Sequence, residues 1–114
     1  PQPESATASV RRLVGEQIGR RLVDLPGIAE AMGLTPRTLQ RRLSEEATNF
    51  QALYEEARKE YARTYLESHS EPEISTLAAH LGYSEPANFY RAFKTWFGLT
   101  PADYRRRHRR PESP

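Results

Sequence analysis

The chain has no cysteine. That absence excludes disulfides, thiolate-bound zinc and a cysteine nucleophile together. Its histidines, His69, His80 and His108, show no ligand-like spacing and have no thiolate to join, so no metal site is expected. No run approaches the ~18 apolar residues of a membrane span, and no charged-then-apolar secretory leader opens the chain. There is no glycine-rich phosphate loop and no nucleophile beside a base. Glu55 and Glu56 are adjacent, hence on different helix faces, and form no catalytic carboxylate pair. An enzyme is not expected, nor a cofactor; a cytoplasmic setting is compatible with all of this. Methionine occurs once, at Met32, and the first residues are Pro1-Gln2-Pro3-Glu4-Ser5-Ala6-Thr7. Residues 1–7 have the composition of a linker, so the chain is expected to be a piece of a longer protein.

What is present is helix. No segment alternates with period two, whereas apolar residues recur at helical spacing throughout. With 37% hydrophobic and 28% charged residues in 114, a core is possible only if amphipathic helices build it. Net charge is only +2, but all the cations except Lys59 and Lys94 are arginine, whose planar fork suits phosphate and guanine edges. The layout is uneven. Arg37, Arg41 and Arg42 occur with no acid between Glu30 and Glu45, and Arg105, Arg106, Arg107, Arg109 and Arg110 crowd the end. Acids gather on the middle of the chain at Glu55, Glu56, Glu60 and Glu67. Such an arginine run on its own fits a solvated helix face as well as it fits a ligand.

A repeat decides between the two. Ile28-Ala29-Glu30-Ala31-Met32-Gly33-Leu34-Thr35, running on into Leu39-Gln40-Arg41-Arg42-Leu43, is echoed by Leu77-Ala78-Ala79-His80-Leu81-Gly82-Tyr83-Ser84 and Phe89-Tyr90-Arg91-Ala92-Phe93. Gly33 and Gly82 are 49 residues apart and Leu39 and Phe89 are 50 apart, so one extra residue follows the Thr35/Ser84 position. Each copy is a short apolar helix, a glycine, and a hydroxyl residue opening a second helix that carries arginine. That is the helix-turn-helix pattern, whose DNA-binding form lays the second helix in the major groove.

Seven helices are predicted, an all-α fold. The first runs from about Ala8 to about Arg21 and buries Val10, Leu13, Val14 and Ile18. Asp24 caps the second and Gly33 ends it. Thr35 caps the third, with Pro36 in its first position. Thr48-x-x-Gln51 reads as a capping box for a long fourth helix to about Ser68. The fifth runs from about Ile74 to Leu81; Ser84 caps the sixth, which ends near Phe97 at Gly98. Thr100-x-x-Asp103, with Pro101, opens the seventh. The aromatics Phe89, Phe93, Trp96, Phe97 and Tyr104 read as core packing of the second copy, with Tyr83 joining them, rather than as base-stacking residues.

The phrase Gly33-Leu34-Thr35-Pro36-Arg37-Thr38-Leu39-Gln40-Arg41-Arg42-Leu43 resembles the first helix-turn-helix of AraC/XylS-type bacterial transcription regulators. Gly82-Tyr83-Ser84-Glu85-Pro86-Ala87-Asn88-Phe89-Tyr90-Arg91-Ala92-Phe93-Lys94, followed by Gly98-Leu99-Thr100-Pro101-Ala102-Asp103-Tyr104-Arg105, resembles that family's second-unit signature. The likeness extends from about Val10 to Arg105; Glu73 departs from it, standing where the family more often has a small hydroxyl cap. The resemblance implies a DNA-binding domain over 8–109, with helix-turn-helix units at about 24–46 and 74–97, a linker helix at about 48–68 and a tail at 110–114. It implies double-stranded DNA as partner, RNA polymerase as a further one, and a separate effector-binding or dimerisation domain outside this fragment. DNA-repair alkyl-transfer proteins that carry a similar domain need an acceptor cysteine, which is lacking here.

By this resemblance the base-reading positions fall on Arg37, Gln40 and Arg41, with Thr38 beside them. Arginine can fork onto guanine O6 and N7, and glutamine onto adenine N6 and N7. In the second copy the matching positions are Pro86, Ala87, Asn88, Tyr90 and Arg91, with Lys94 as a phosphate contact. Pro86 and Ala87 bring no hydrogen-bonding side chain, so this helix is expected to read less. A linker helix of about 20 residues spans ~30 Å, close to the ~34 Å of one DNA turn. Two non-identical copies in one chain would then read an asymmetric site across adjacent major grooves. The alternative is a helical module that binds RNA or protein.

Overall fold

The computed structural model describes residues 4–69 and 71–108. Pro1–Pro3 of the expected linker, and Arg109, Arg110 and the tail at 110–114, lie outside the described residues. Among the described residues the chain is all helix: α1 (Ala6–Gln17), α2 (Leu25–Ala31), α3 (Pro36–Glu45), α4 (Phe50–Ser68), α5 (Ile74–His80), α6 (Pro86–Phe97) and α7 (Pro101–Arg107). All seven expected helices are present. They form two compact units that divide between Arg58 and Lys59, within α4.

In the first unit α1 packs on α2 and α3, and those two pack on each other. Its fully buried side chains are aliphatic, among them Val10 and Val14 of α1, Ile28 of α2, and Leu39 and Leu43 of α3; Phe50 and Tyr54 of α4 are buried nearly as deeply. Leu13, expected inside, is only half-buried. α1 both starts and ends earlier than the apolar spacing suggests. Ser5 caps it by accepting the Ala8 N–H at 3.1 Å. Gly19, at φ 82°, takes the left-handed turn that stops it before Arg21.

A carboxylate from the far end of the unit completes that helix start. Glu46, just past α3, accepts the Ala6 N–H at 3.0 Å and the Thr7 N–H at 2.8 Å, and also the Thr7 hydroxyl. A helix leaves its first N–H groups without internal partners and places the positive end of its dipole there, so a carboxylate satisfies both at once. The bond from the Thr7 hydroxyl, joined by the Thr7 and Ala6 amides, holds the Glu46 carboxyl below the usual carboxylate range.

A short turn then leads into α4. Thr48 N–H donates to Leu43 C=O at 3.0 Å, so Thr48 still belongs to the turn that closes α3. The cap of α4 therefore falls to Asn49, whose side chain accepts the Ala52 N–H at 2.8 Å, and the expected Thr48-x-x-Gln51 box does not form. Ala47, just before Thr48, sits at φ 62°, a left-handed position occupied by a residue with a Cβ.

The second unit joins aromatic rings to the buried leucines Leu66, Leu77 and Leu81. Phe89 and Phe93 of α6 are fully buried, and Tyr104 of α7 is nearly so. The Phe93 ring meets Phe97 at 4.7 Å, Tyr104 at 5.6 Å and Trp96 at 6.3 Å between centroids, the last two edge-on, as ring quadrupoles prefer. Tyr104 anchors the C-terminal helix by donating its hydroxyl to Glu67 at 2.8 Å. Burial, reinforced by that carboxylate, pushes the Tyr104 phenol up to about 12. Glu67 also receives Arg63 at 3.0 Å. Each histidine lies against a tyrosine: His69 stacks on Tyr65, His108 on Tyr104, and His80 bonds the Tyr61 hydroxyl. Among the described residues no helix is long and apolar enough to cross a membrane.

Two stability outcomes follow from the first unit. Glu46 has a lowered pKa, so its contribution is complete above the unfolded carboxylate pKa and disappears as pH falls through the folded one. Glu46→Gln should lower the melting temperature at pH 7 and flatten its acid-side pH dependence, with the difference from the parent shrinking toward pH 3. Ala47→Gly should raise stability by about 0.5–1 kcal/mol in urea titration, because glycine adopts φ > 0 without steric cost; a loss of stability would show that Ala47 is not strained.

Candidate nucleic-acid interface

The two turns are the same turn. In the first unit Leu34 N–H donates to Ala29 C=O at 2.9 Å and Gly33 N–H to Glu30 C=O at 3.0 Å. In the second, Tyr83 N–H donates to Ala78 C=O and Gly82 N–H to Ala79 C=O, both at 3.0 Å. Every donor and acceptor is displaced by 49 residues. The geometry needs a left-handed residue at its centre, supplied by Gly33 at φ 71° and Gly82 at φ 85°. These bonds fix how the chain leaves α2 and α5, and hence where α3 and α6 begin.

The copies diverge in the next two residues. Thr35 caps α3: its hydroxyl oxygen accepts the Thr38 N–H at 3.1 Å while its own O–H donates to Thr38 Oγ1 at 3.0 Å, with Pro36 at the first helical position. In the second copy the extra residue is real and displaces the cap. α6 begins at Pro86, so Glu85 takes the cap position and makes no side-chain cap bond. Ser84, expected as the cap, lies one residue too early. Glu73 likewise precedes α5 without a side-chain cap bond, its carboxylate accepting the Thr76 hydroxyl instead.

α3 separates its faces cleanly. Leu39 and Leu43 point into the core while Arg37, Gln40 and Arg41 are exposed, spaced so that 37 and 41 lie one turn apart and 40 lies beside them. Thr38 is half-buried and engaged with the cap, which leaves it the least available of the candidate readers. Arg41 donates from Nη1 to Glu45 Oε1 at 2.9 Å, a partner that the reader positions alone did not bring out, although its i,i+4 spacing was visible. Arg42 is exposed on the same helix.

On α6, Phe89 and Phe93 face inward; Pro86, Ala87, Asn88, Tyr90, Arg91 and Lys94 are all exposed. Tyr90 is the notable one, a large ring left 44% open next to an arginine. Arg91 donates to the side-chain oxygen of Asn88, so two of the candidate readers hold each other. Each unit thus presents an outward helix with a guanidinium at the equivalent position, Arg41 and Arg91. Among the described residues no group of three His, Asp or Glu side chains is gathered to hold a metal ion.

Residues 28–107 match a family model described as a helix-turn-helix domain. The chain is 39% identical over 110 residues to the HTH-type transcriptional regulator VirS of Mycobacterium tuberculosis, a match covering 90% of this chain and 31% of VirS. It spans 23–31% of the length of its curated mycobacterial relatives. Among solved structures it is similar to a DNA-binding transcriptional dual regulator from Escherichia coli K-12, with TM-score 0.81 at 25% identity, over 95% of this chain and 96% of that one. It shares the fold of an AraC-type DNA-binding domain protein from Chromobacterium violaceum, with TM-score 0.77 at 24% identity, over 94% and 95% of the two chains.

The unequal caps give a direct comparison. Thr35→Ala should destabilise the chain by about 1 kcal/mol, the usual cost of losing an N-cap oxygen, whereas Ser84→Ala should stay within about 0.5 kcal/mol of the parent. Equal losses at the two positions, measured by urea denaturation, would mean that Ser84 caps α6 after all.

Proposed function

The chain belongs to the helix-turn-helix domain family and shares the fold of an AraC-type DNA-binding domain protein; from that footing we propose that it binds double-stranded DNA in a sequence-specific manner, with α3 and α6 each entering a major groove, and so regulates transcription. The observation that carries this is the doubled turn, matched bond for bond, which in both copies delivers an exposed helix bearing arginine. A family of DNA-binding regulators gives no role to a catalytic site, and no residue here is assigned one.

In this proposal Arg37, Gln40 and Arg41 read base edges, Arg37 from the first turn of α3, the part of a recognition helix that approaches the bases. Arginine addresses guanine and glutamine addresses adenine. α6 reads less. Pro86 and Ala87 supply apolar contact, for instance to a thymine methyl, and Asn88 and Tyr90 lie beside them. Arg91 and Lys94 bind phosphate and set position. The proposal extends to RNA polymerase as a partner, to an effector-binding or dimerisation domain elsewhere in a longer protein, and to a cytoplasmic setting. The chain's short coverage of its relatives supports the second of these.

Selection from a random duplex library, followed by binding measurements over a salt series, tests the proposal. Affinity should fall steeply with salt, each neutralised phosphate adding about −0.9 to the log–log slope. Arg37→Ala and Gln40→Ala should each lose about 1–3 kcal/mol on the selected duplex and little on random DNA. A flat salt response, no enriched motif, or preference for single-stranded RNA would overturn the reading.

A further inference from the structure

We propose that Glu45 is a specificity-determining residue of the α3 surface, acting through Arg41; the inference rests on the DNA-binding reading above. Glu45 lies one turn beyond Arg41 and accepts its Nη1 at 2.9 Å, with both side chains 60% exposed. An ion pair so open to water contributes little to folding. Its effect lies in what it does to the guanidinium.

DNA offers an arginine two kinds of acceptor. A phosphate is charged and attracts any cation, whatever the sequence. A guanine edge is neutral and demands two N–H groups in a fork. The pair with Glu45 uses one of the five N–H donors of Arg41 and leaves the others to bond a base. It also makes the group nearly neutral as a whole, and sets a carboxylate where an approaching phosphate would be repelled. Glu45 thus weakens the contact that carries no sequence information and spares the one that does. Discrimination gained by disfavouring the wrong complex is a general device of specific interfaces.

The second unit supplies an internal comparison. Arg91 stands 50 residues after Arg41, and the residue 50 after Glu45 is Thr95. Thr95 turns its hydroxyl to the Arg91 carbonyl at 3.0 Å, and the side-chain partner of Arg91 is the uncharged amide of Asn88. The guanidinium on α6 therefore keeps its full attraction for phosphate, in keeping with a helix that positions more than it reads. The filter sits only on the helix that bears Arg37, Gln40 and Arg41.

The test compares the 114-residue chain with Glu45→Gln, Arg41→Ala and the double variant. Each is measured on the duplex selected from a random library and on a random-sequence duplex of equal length, across a salt series. Glu45→Gln should tighten binding to the random duplex by about three- to tenfold and steepen its log–log salt slope by about 0.9, as one added phosphate contact requires. The selected duplex should gain less, so the ratio of the two affinities falls. None of these changes should occur when Arg41 is alanine. Equal gains on both duplexes, an unchanged ratio, or an effect that survives in the Arg41→Ala background would overturn the proposal and leave Glu45 a general surface charge. If the parent chain itself failed to distinguish the two duplexes, the DNA-binding reading would fall instead, which is a separate result.

Discussion

A helix that must offer its polar face to a ligand can be held only by its opposite face and its ends. α3 and α6 are both held this way, and the rest of each unit is arranged around that requirement. The inner face is a pair of buried side chains one turn apart, Leu39 and Leu43 or Phe89 and Phe93. The N-terminal end is set by a backbone turn in which the residue after a left-handed glycine donates five residues back, Leu34 to Ala29 or Tyr83 to Ala78. Two contacts on one face leave a helix free to pivot about that line. The turn removes the pivot, because backbone bonds at 2.9–3.0 Å permit little angular play. Without a left-handed residue at 33 and 82 the bonds could not close.

The two units meet the same requirement with different cores. The first is mainly aliphatic, and it recruits α1 as a third helix, tied down at its start by Glu46. The second is richer in rings. Large rings fill the space with fewer residues, and α7 closes the unit through Tyr104 and its bond to Glu67. Glu67 in turn accepts Arg63, so a carboxylate and a cation stabilise the attachment of an arginine-rich helix without burying an unpaired charge. A shared turn built over unlike cores shows that the turn, rather than any particular packing, is the element the repeat preserves.

Much of this was legible in the residues, and the parts that were not share a cause. Glycine after an apolar stub and proline at the head of a helix act through their own backbone, so Gly33, Gly82, Gly98, Pro36 and Pro101 spoke for themselves. The buried stripes followed from helical spacing. Caps were harder, because a hydroxyl or amide caps only where the preceding turn has already ended. Thr48 is still occupied closing α3, so Asn49 caps α4. The residue inserted in the second copy pushes Ser84 out of reach and brings Glu85 to the cap position. Least legible was Glu46, whose bonds reach back to α1 across about forty residues and have no local pattern. For the candidate surface, exposure of Arg37, Gln40, Arg41 and the α6 set follows from the same spacing that buries their neighbours. The withdrawal of Thr38 into the cap and the hold of Glu45 on Arg41 depend on rotamers, which spacing alone does not fix.

The doubled turn has a consequence for how such a chain changes over generations. Apart from Thr38, which joins the α3 cap, and Pro86, which heads α6, the residues that hold each outward helix and those that face outward from it are separate, since none of Arg37, Gln40, Arg41, Arg91 or Lys94 takes part in the cores. An altered outward residue therefore leaves the fold to be inherited intact. With the turn present twice, each copy is free to change its outward residues by itself. One could keep its forked side chains while its sibling traded them for a proline and an alanine.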